Sequence, residues 1–266
     1  GTPLFKRVNK RMIPTYAGEQ FLYTGEQIFR LQRHLDSTLA QISHKTAGRL
    51  SIAVTATRGY YVLPEVLPGF KALYPDYHVE VLERNVDDVE RSLSDGSVNL
   101  AVYALTERNP EFTYYHISTE EVGLFLSANS PYAALAKPKE GFRYPWLDLS
   151  RLEKGVFFMN DALQWRIGRI GRELLREARI DPEITVFRSL DTCLALASRG
   201  LGYAFAFDIS VRCFKNHIAP PICLSTGSKP YTAEFVIACR KDYEIQKADL
   251  DFINLVQDGF GRSYDS

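Results

Sequence analysis

A chain of 266 residues that is 45% hydrophobic and 24% charged has ordinary globular composition and enough length for one large domain or two small ones. Its apolar runs are short and broken by charge, which excludes the roughly 18 to 20 apolar residues of a membrane span, and no secretory pattern is present, so a soluble cytoplasmic protein is expected. Net charge is zero, yet residues 1–50 hold eight Lys and Arg against three Asp and Glu; a basic segment on a neutral body fits contact with phosphate, and fits a solvated basic arm equally well.

The opening Gly1 to Gly18 stretch carries an apolar Leu4-Phe5 followed by Lys6, Arg7, Lys10 and Arg11 with no acid among them. Thr15 is a candidate helix cap, and from Tyr16 to about Lys45 no proline interrupts a stripe of Leu22, Ile28, Leu31, Leu35, Leu39 and Ile42 at three-to-four spacing. Thirty helical residues make a rod of about 45 Å. A narrow apolar face with polar flanks is expected to meet a second copy of itself; the alternative is a helix folded back on its own body. Thr46-Ala47-Gly48 ends the helix.

Strands then alternate with helices. Leu50 to Thr55 is a strand, followed by a helix bearing Leu63, Val66, Leu67 and Phe70. His78 to Glu83, Val98 to Tyr103, Phe112 to Ile117 and Val122 to Ser127 read as further strands, with a short helix over Asp87 to Leu93. After a loose stretch with Pro131, Pro138 and Pro145, a second series has strands at Gly155 to Met159, Glu183 to Arg188 and Gly202 to Phe207, with helices near Leu163 to Glu177 and Leu190 to Ser198. Ala233 to Arg240 supplies one more strand before a closing helix that ends near Val256. Such alternation predicts parallel pairing and two α/β halves with a cleft between them, where ligands bind outside the carboxyl ends of the strands.

Cys193, Cys213, Cys223 and Cys239 show neither CxxC spacing nor paired histidines, so free thiols are expected, with no metal and no cofactor. No GxSxG, HExxH or P-loop is present, and Gly168 with Gly171 is only a fragment of GxGxxG, so no enzyme is expected.

The order of several short motifs resembles the LysR-type transcriptional regulators. Leu4-Phe5-Lys6-Arg7, Thr15-Tyr16-Ala17-Gly18, Leu63-Pro64 through Phe70, Tyr74-Pro75, Asp95-Gly96, Ser189-Leu190 and Arg199-Gly200-Leu201-Gly202 stand in the family's sequence and spacing over essentially the whole chain. The resemblance implies a fold of two Rossmann-like subdomains around a central cleft, like the type 2 periplasmic binding proteins. It divides the chain into a remnant of the winged helix-turn-helix (1–15), a linker and dimerisation helix (16–47) and an effector-binding domain (48–266). Within that domain, subdomain I takes about 48–121 and 225–266, and subdomain II about 122–224. It further implies that the recognition helix, which precedes the wing in the family, is missing, so Lys6, Arg7, Lys10 and Arg11 would touch DNA phosphate without reading bases. Implied partners are promoter DNA, a small organic effector, anionic in one version, and further copies as a homodimer or homotetramer, with RNA polymerase as an additional candidate and no membrane. A solute-binding receptor of periplasmic type shares the cleft and stands as the alternative; it would need neither the basic wing nor the long helix.

Strand ends and resemblance together place Ala56, Thr57, Arg58 and Tyr103 on one side of the cleft and Phe158, Asn160, Ser189 and Phe207 on the other. Thr57 is either an anion-binding hydroxyl or a plain N-cap, and Arg58 either a counter-charge or a surface arginine. Ser189 caps or binds, Asn160 turns the loop or orients a ligand, and Trp165 either joins the cleft aromatics from its helix or packs that helix on the sheet. Peroxide-responding members of the family carry a cysteine pair after the strand Gly155 to Met159, where this chain has Asn160-Asp161-Ala162-Leu163.

Overall fold

The computed structural model describes residues 1–8, 11–42, 48–105, 107–152, 154–162, 165–212, 214 and 219–261. Lys10, Lys45, Thr46, Ala47, Leu163 and Cys213, and the side chains of Arg11, Leu39 and Ile42, lie outside that description.

The basic opening is a hairpin of β1 (Phe5–Val8) and β2 (Arg11–Pro14), antiparallel with Phe5 opposite Pro14. It leads into α1 (Tyr16–Ile42), whose start explains the spacing of Thr15 and Gly18. Thr15 Oγ1 accepts the Gly18 N–H at 3.1 Å, while the Thr15 N–H donates to the Leu4 carbonyl at 2.9 Å. A side chain at Gly18 would collide with that same carbonyl, so the hairpin seats on the helix only with glycine there. Along α1, Leu22, Ile28, Leu31 and Leu35 are 44–68% exposed. The apolar surface is broader than the stripe predicts, because Phe21, Tyr23 and Phe29 are exposed on its flank as well.

The body follows in the order β3 (Arg49–Thr55), α2 (Ala56–Leu73), β4 (His78–Arg84), α3 (Val86–Ser94), β5 (Leu100–Leu105), β6 (Phe112–Leu126), β7 (Val156–Asn160), α4 (Arg166–Glu177), β8 (Glu183–Phe187), α5 (Leu190–Ser198), β9 (Tyr203–Phe207), α6 (Ile209–Arg212), β10 (Ile222–Leu224), β11 (Thr232–Arg240) and α7 (Lys247–Phe260). The strands run in space β4-β3-β5-β11-β6-β9-β7-β8, with β10 also on β6. The β3, β4, β5 group and the β7, β8, β9 group pair in parallel as expected, while β6, β10 and β11 pair antiparallel.

Strand β6 corrects the reading of two separate strands at Phe112 to Ile117 and Val122 to Ser127. Its polar middle, Ser118 to Glu121, reads as a break but is spoken for. Glu120 pairs with Arg58, and Glu121 accepts from Ser225 Oγ and from the Arg143 N–H. Residues up to Glu121 pair with β11, and Val122 onward pairs with β9, so one strand serves both halves. The chain crosses a second time between β10 and β11.

Side-chain alternation then assigns each strand face. Leu100, Val102 and Ala104 of β5 point to the core under α2 and α7, while Ala101, Tyr103 and Leu105 point to the core under α3. In the second half Phe158, Ala204 and Ala206 pack beneath α5 with Cys193 and Leu194. Cys193, Cys223 and Cys239 are free thiols, and burial pushes the Cys193 thiol up to about 12. Among the described residues no cluster of His, Cys, Asp or Glu suits a metal, and no helix is long and apolar enough to cross a membrane.

Candidate functional site: the cleft between the halves

Four strand-to-helix junctions meet at the cleft, and their first residues differ in how they satisfy the helix ends. Asn85 Oδ1 accepts the Asp88 N–H at 2.9 Å, and Ser189 Oγ accepts the Thr192 N–H at 3.3 Å, so α3 and α5 are capped by their own side chains. Thr55 before α2 and Trp165 before α4 make no such bond. Their first-turn N–H groups are left for water or a ligand.

A cavity of about 420 Å³ opens between these junctions. Thr55, Thr57, Arg58, Glu83, Asp87 and Ala104 line it from the first half, and Asn160, Trp165, Arg166, Ile167, Leu190 and Phe207 from the second. An adjoining cavity of about 380 Å³ shares Thr57, Glu83, Asn160, Trp165 and Leu190, and adds Ala56, Tyr61, Arg188, Ser189 and Asp191. Two hydrogen bonds already span the cleft: Tyr61 Oη donates to Asp191 Oδ1 at 2.8 Å, and Arg166 Nη1 donates to the Ala104 carbonyl at 2.9 Å. Burial pulls the Arg166 guanidinium below its ordinary pKa.

Arg58 forms part of the floor and is 1% exposed, which rules out the surface arginine. It is ion-paired with Glu120, its Cζ lies 4.2 Å from the Phe235 ring centre and 5.7 Å from that of Phe207, and its Nη1 has no hydrogen-bond partner among the described residues. Glu120 is equally buried, its Oε1 is also unpartnered, and burial raises its pKa against the pull of Arg58. Glu121 and Asp208, close by along β6 and β9, are joined by the Asp208 N–H to the Glu121 carbonyl at 2.9 Å. Asp208 in turn accepts from Arg143 Nη1 at 2.6 Å and Tyr144 Oη at 3.1 Å. Arg58 thus joins the cleft to a set of buried charges along the strand that both halves share, and of that set it alone lines either cavity.

Of the eight residues expected here, Thr57, Arg58, Asn160 and Phe207 line the main cavity, and Ala56 and Ser189 the adjoining one. Thr57 is not the N-cap, which is Thr55; it sits in the first turn of α2. Asn160 ends β7 instead of turning a loop, and its Nδ2 donates to the carbonyls of Phe187 and Arg188 at 3.0 Å each, tying the ends of β7 and β8 together. Ser189 is occupied as a cap. Tyr103 and Phe158 line neither cavity: Tyr103 points to the α3 face beside Val89 and Leu93, and Phe158 packs under α5 beside Leu194. The residue that reaches the cavity from β5 is Ala104, one position on and on the opposite face. Trp165, for which both the cleft and the packing of α4 on the sheet were open, lines both cavities, and its Nε1 has no partner among the described residues.

The charged rim was not read from the sequence. Glu83 and Asp87 stand on the first wall and Arg166, Arg169 and Arg188 on the second. A signal existed for two of them, since Glu83 closes a strand and Arg166 opens a helix.

A model of the LysR substrate binding domain matches residues 43–261. The chain belongs to the LysR family. Over 144 residues, 54% of the chain, it is 28% identical to the HTH-type transcriptional regulator YcgK of Bacillus subtilis, and that match spans 41% of YcgK. The chain spans about half the length of the first curated relatives it matches. Among solved structures, the OxyR C206 mutant of Corynebacterium glutamicum superposes with a TM-score of 0.63 at 20% identity, covering 97% of this chain and 77% of that one. The regulatory domain of Synechocystis CcmR, solved in complex with 2-PG, superposes with a TM-score of 0.64 at 13% identity, covering 81% and 98%. Both share the fold of this LysR-family chain: two α/β subdomains around a cleft, the type 2 periplasmic-binding-protein-like architecture.

Proposed function

We propose that this chain is the wing (1–15), linker helix (16–47) and effector-binding part (48–266) of a bacterial transcriptional regulator, in which a small organic molecule held in the cleft changes how the whole protein binds promoter DNA. Subdomain I takes about 48–121 and 225–266, and subdomain II about 122–224. The observation that carries the reading is a cavity lined by both halves, two of whose lining residues, Arg58 and Trp165, each carry a buried donor (Nη1 and Nε1) without a partner among the described residues. Buried donors without partners cost free energy, and a ligand acceptor removes that cost. A ligand that touches both walls favours one relative angle of the halves, and β6, common to both, carries the change.

The cytoplasm is the matching compartment. The exposed apolar surface of α1 pairs with that of a second copy, giving a homodimer or a homotetramer. Lys6 and Arg7, with Lys10 and Arg11, contact DNA phosphates in the intact protein, where RNA polymerase is a further partner.

A thermal-shift screen of small acids and aromatic metabolites tests the central point, with a true ligand at about a hundredfold excess over its Kd adding about 2.7 kcal/mol. Thr57→Val and Trp165→Phe should each weaken that ligand about tenfold. Unchanged affinity in both variants would move the site out of the cleft.

A further inference from the structure

The two hydrogen bonds that cross the cleft are made between the protein's own groups, and they join different elements. Tyr61 stands one turn further along α2 than Thr57, and its phenol, at 3% exposure, donates to Asp191 in the first turn of α5 at 2.8 Å. Arg166, the first residue of α4, donates to the carbonyl of Ala104 near the end of β5 at 2.9 Å. Tyr61 and Asp191 line the adjoining cavity, Arg166 and Ala104 the main one, so the contacts lie at separate places along the cleft. Each is chemically sound. The Asp191 carboxylate is a charged acceptor at a helix start, where negative charge is favoured. The Arg166 guanidinium is partly taken out of water, a cost offset by the Ala104 carbonyl and by the attraction of the Glu90 carboxylate, on α3 of the same opposite half.

The chain passes between the halves twice, along β6 and between β10 and β11, and these crossings leave an axis about which the halves can turn. A single contact on the cleft side would still permit twisting, whereas two at separate points fix the angle. We propose that Tyr61–Asp191 and Arg166–Ala104 are a pair of latches that hold the halves closed on each other without an effector. This deepens the reading of the cleft as the effector site. Entry of a molecule requires the open form, so the latches lower its apparent affinity by the fraction of the protein that rests closed.

The test uses the full chain with no ligand. Trp165 lines both cavities with its indole nitrogen buried, so acrylamide quenching of its fluorescence reports how open the cleft is. Trp165→Phe, measured alongside, gives the share due to Trp146, the other tryptophan. Tyr61→Phe and Asp191→Ala break one latch from its two ends and should raise the quenching of Trp165 alike, while Asp191→Asn keeps an acceptor oxygen and should stay near the parent. Arg166→Met breaks the other latch. Each lost bond should shift the open-to-closed ratio about fivefold, and Tyr61→Phe combined with Arg166→Met should exceed either alone. Amide exchange in the middle of β5 and β7 should stay unchanged, since each half remains intact. Unchanged quenching in the combined variant would overturn the proposal, as would a parent Trp165 quenched as readily as an exposed indole. A rise in quenching matched by equally faster exchange within β5 and β7 would also overturn it, because the bonds would then serve folding stability and not the angle of the halves. None of these outcomes touches the cleft as effector site, which the ligand screen decides separately.

Discussion

Four helices begin at the cleft, and two of them close their own ends while two do not. In α3 and α5 the residue before the helix, Asn85 or Ser189, turns its side chain back onto the third helical N–H. In α2 and α4 the corresponding residues, Thr55 and Trp165, leave those donors uncapped. Each half contributes one closed and one open start. A polar residue that caps a helix is already committed, so on the proposed reading the ligand is held by the pair α2 and α4, near the buried Arg58 Nη1 and Trp165 Nε1 that lack partners among the described residues. A serine that caps its helix is thus a weaker site candidate than a threonine within the first turn of an uncapped one.

Substitutions at both kinds of junction test this contrast. The largest effect is expected at the floor beneath α2. Arg58→Met strands the Glu120 carboxylate at 1% exposure and should cost about 3–5 kcal/mol in urea unfolding, with Glu120→Gln in the same chain recovering a large part. No recovery would show that Arg58 acts through packing on Phe235 and not through its charge.

Next comes the close seat of α4. A side chain at Gly168 would collide with the Asn160 carbonyl, so Gly168→Ala should cost about 1–3 kcal/mol and loosen ligand binding by shifting the open start of α4 away from β7. Equal ligand affinity in this variant would separate α4 from the site.

The two junction types themselves give the smaller effects. Ser189→Ala removes a cap that is made and should cost about 1 kcal/mol, whereas Thr55→Ala removes none and should stay within about 0.5 kcal/mol. Equal losses by thermal unfolding would erase the distinction between closed and open starts.

Much of the architecture was legible because it follows local rules. Thr15 before the proline-free stretch marks a cap, alternating strands and helices mark the parallel groups, and Ser189 before Leu190-Asp191-Thr192 marks a cap that the structure contains. What failed depends on partners distant in sequence. Glu120 and Glu121 look like a strand break until Arg58 and Ser225 are brought to them from 62 and 104 residues away. Tyr103 and Phe158 were placed by being near strand ends, but the side-chain period of two sends Tyr103 to the face opposite Ala104, and α5 covers Phe158. Glu83 ends the strand from His78 in the sequence reading, and only the fold brings its carboxylate over Gly59 near the start of α2.

The most direct measurement of the central claim is backbone amide hydrogen exchange with and without the ligand that the thermal-shift screen identifies. Slowed exchange confined to the first turns of α2 and α4, with α3 and α5 unchanged at their already capped starts, is the result this account predicts. Protection at α3 and α5 instead, or equal protection of all four helix starts, would contradict it.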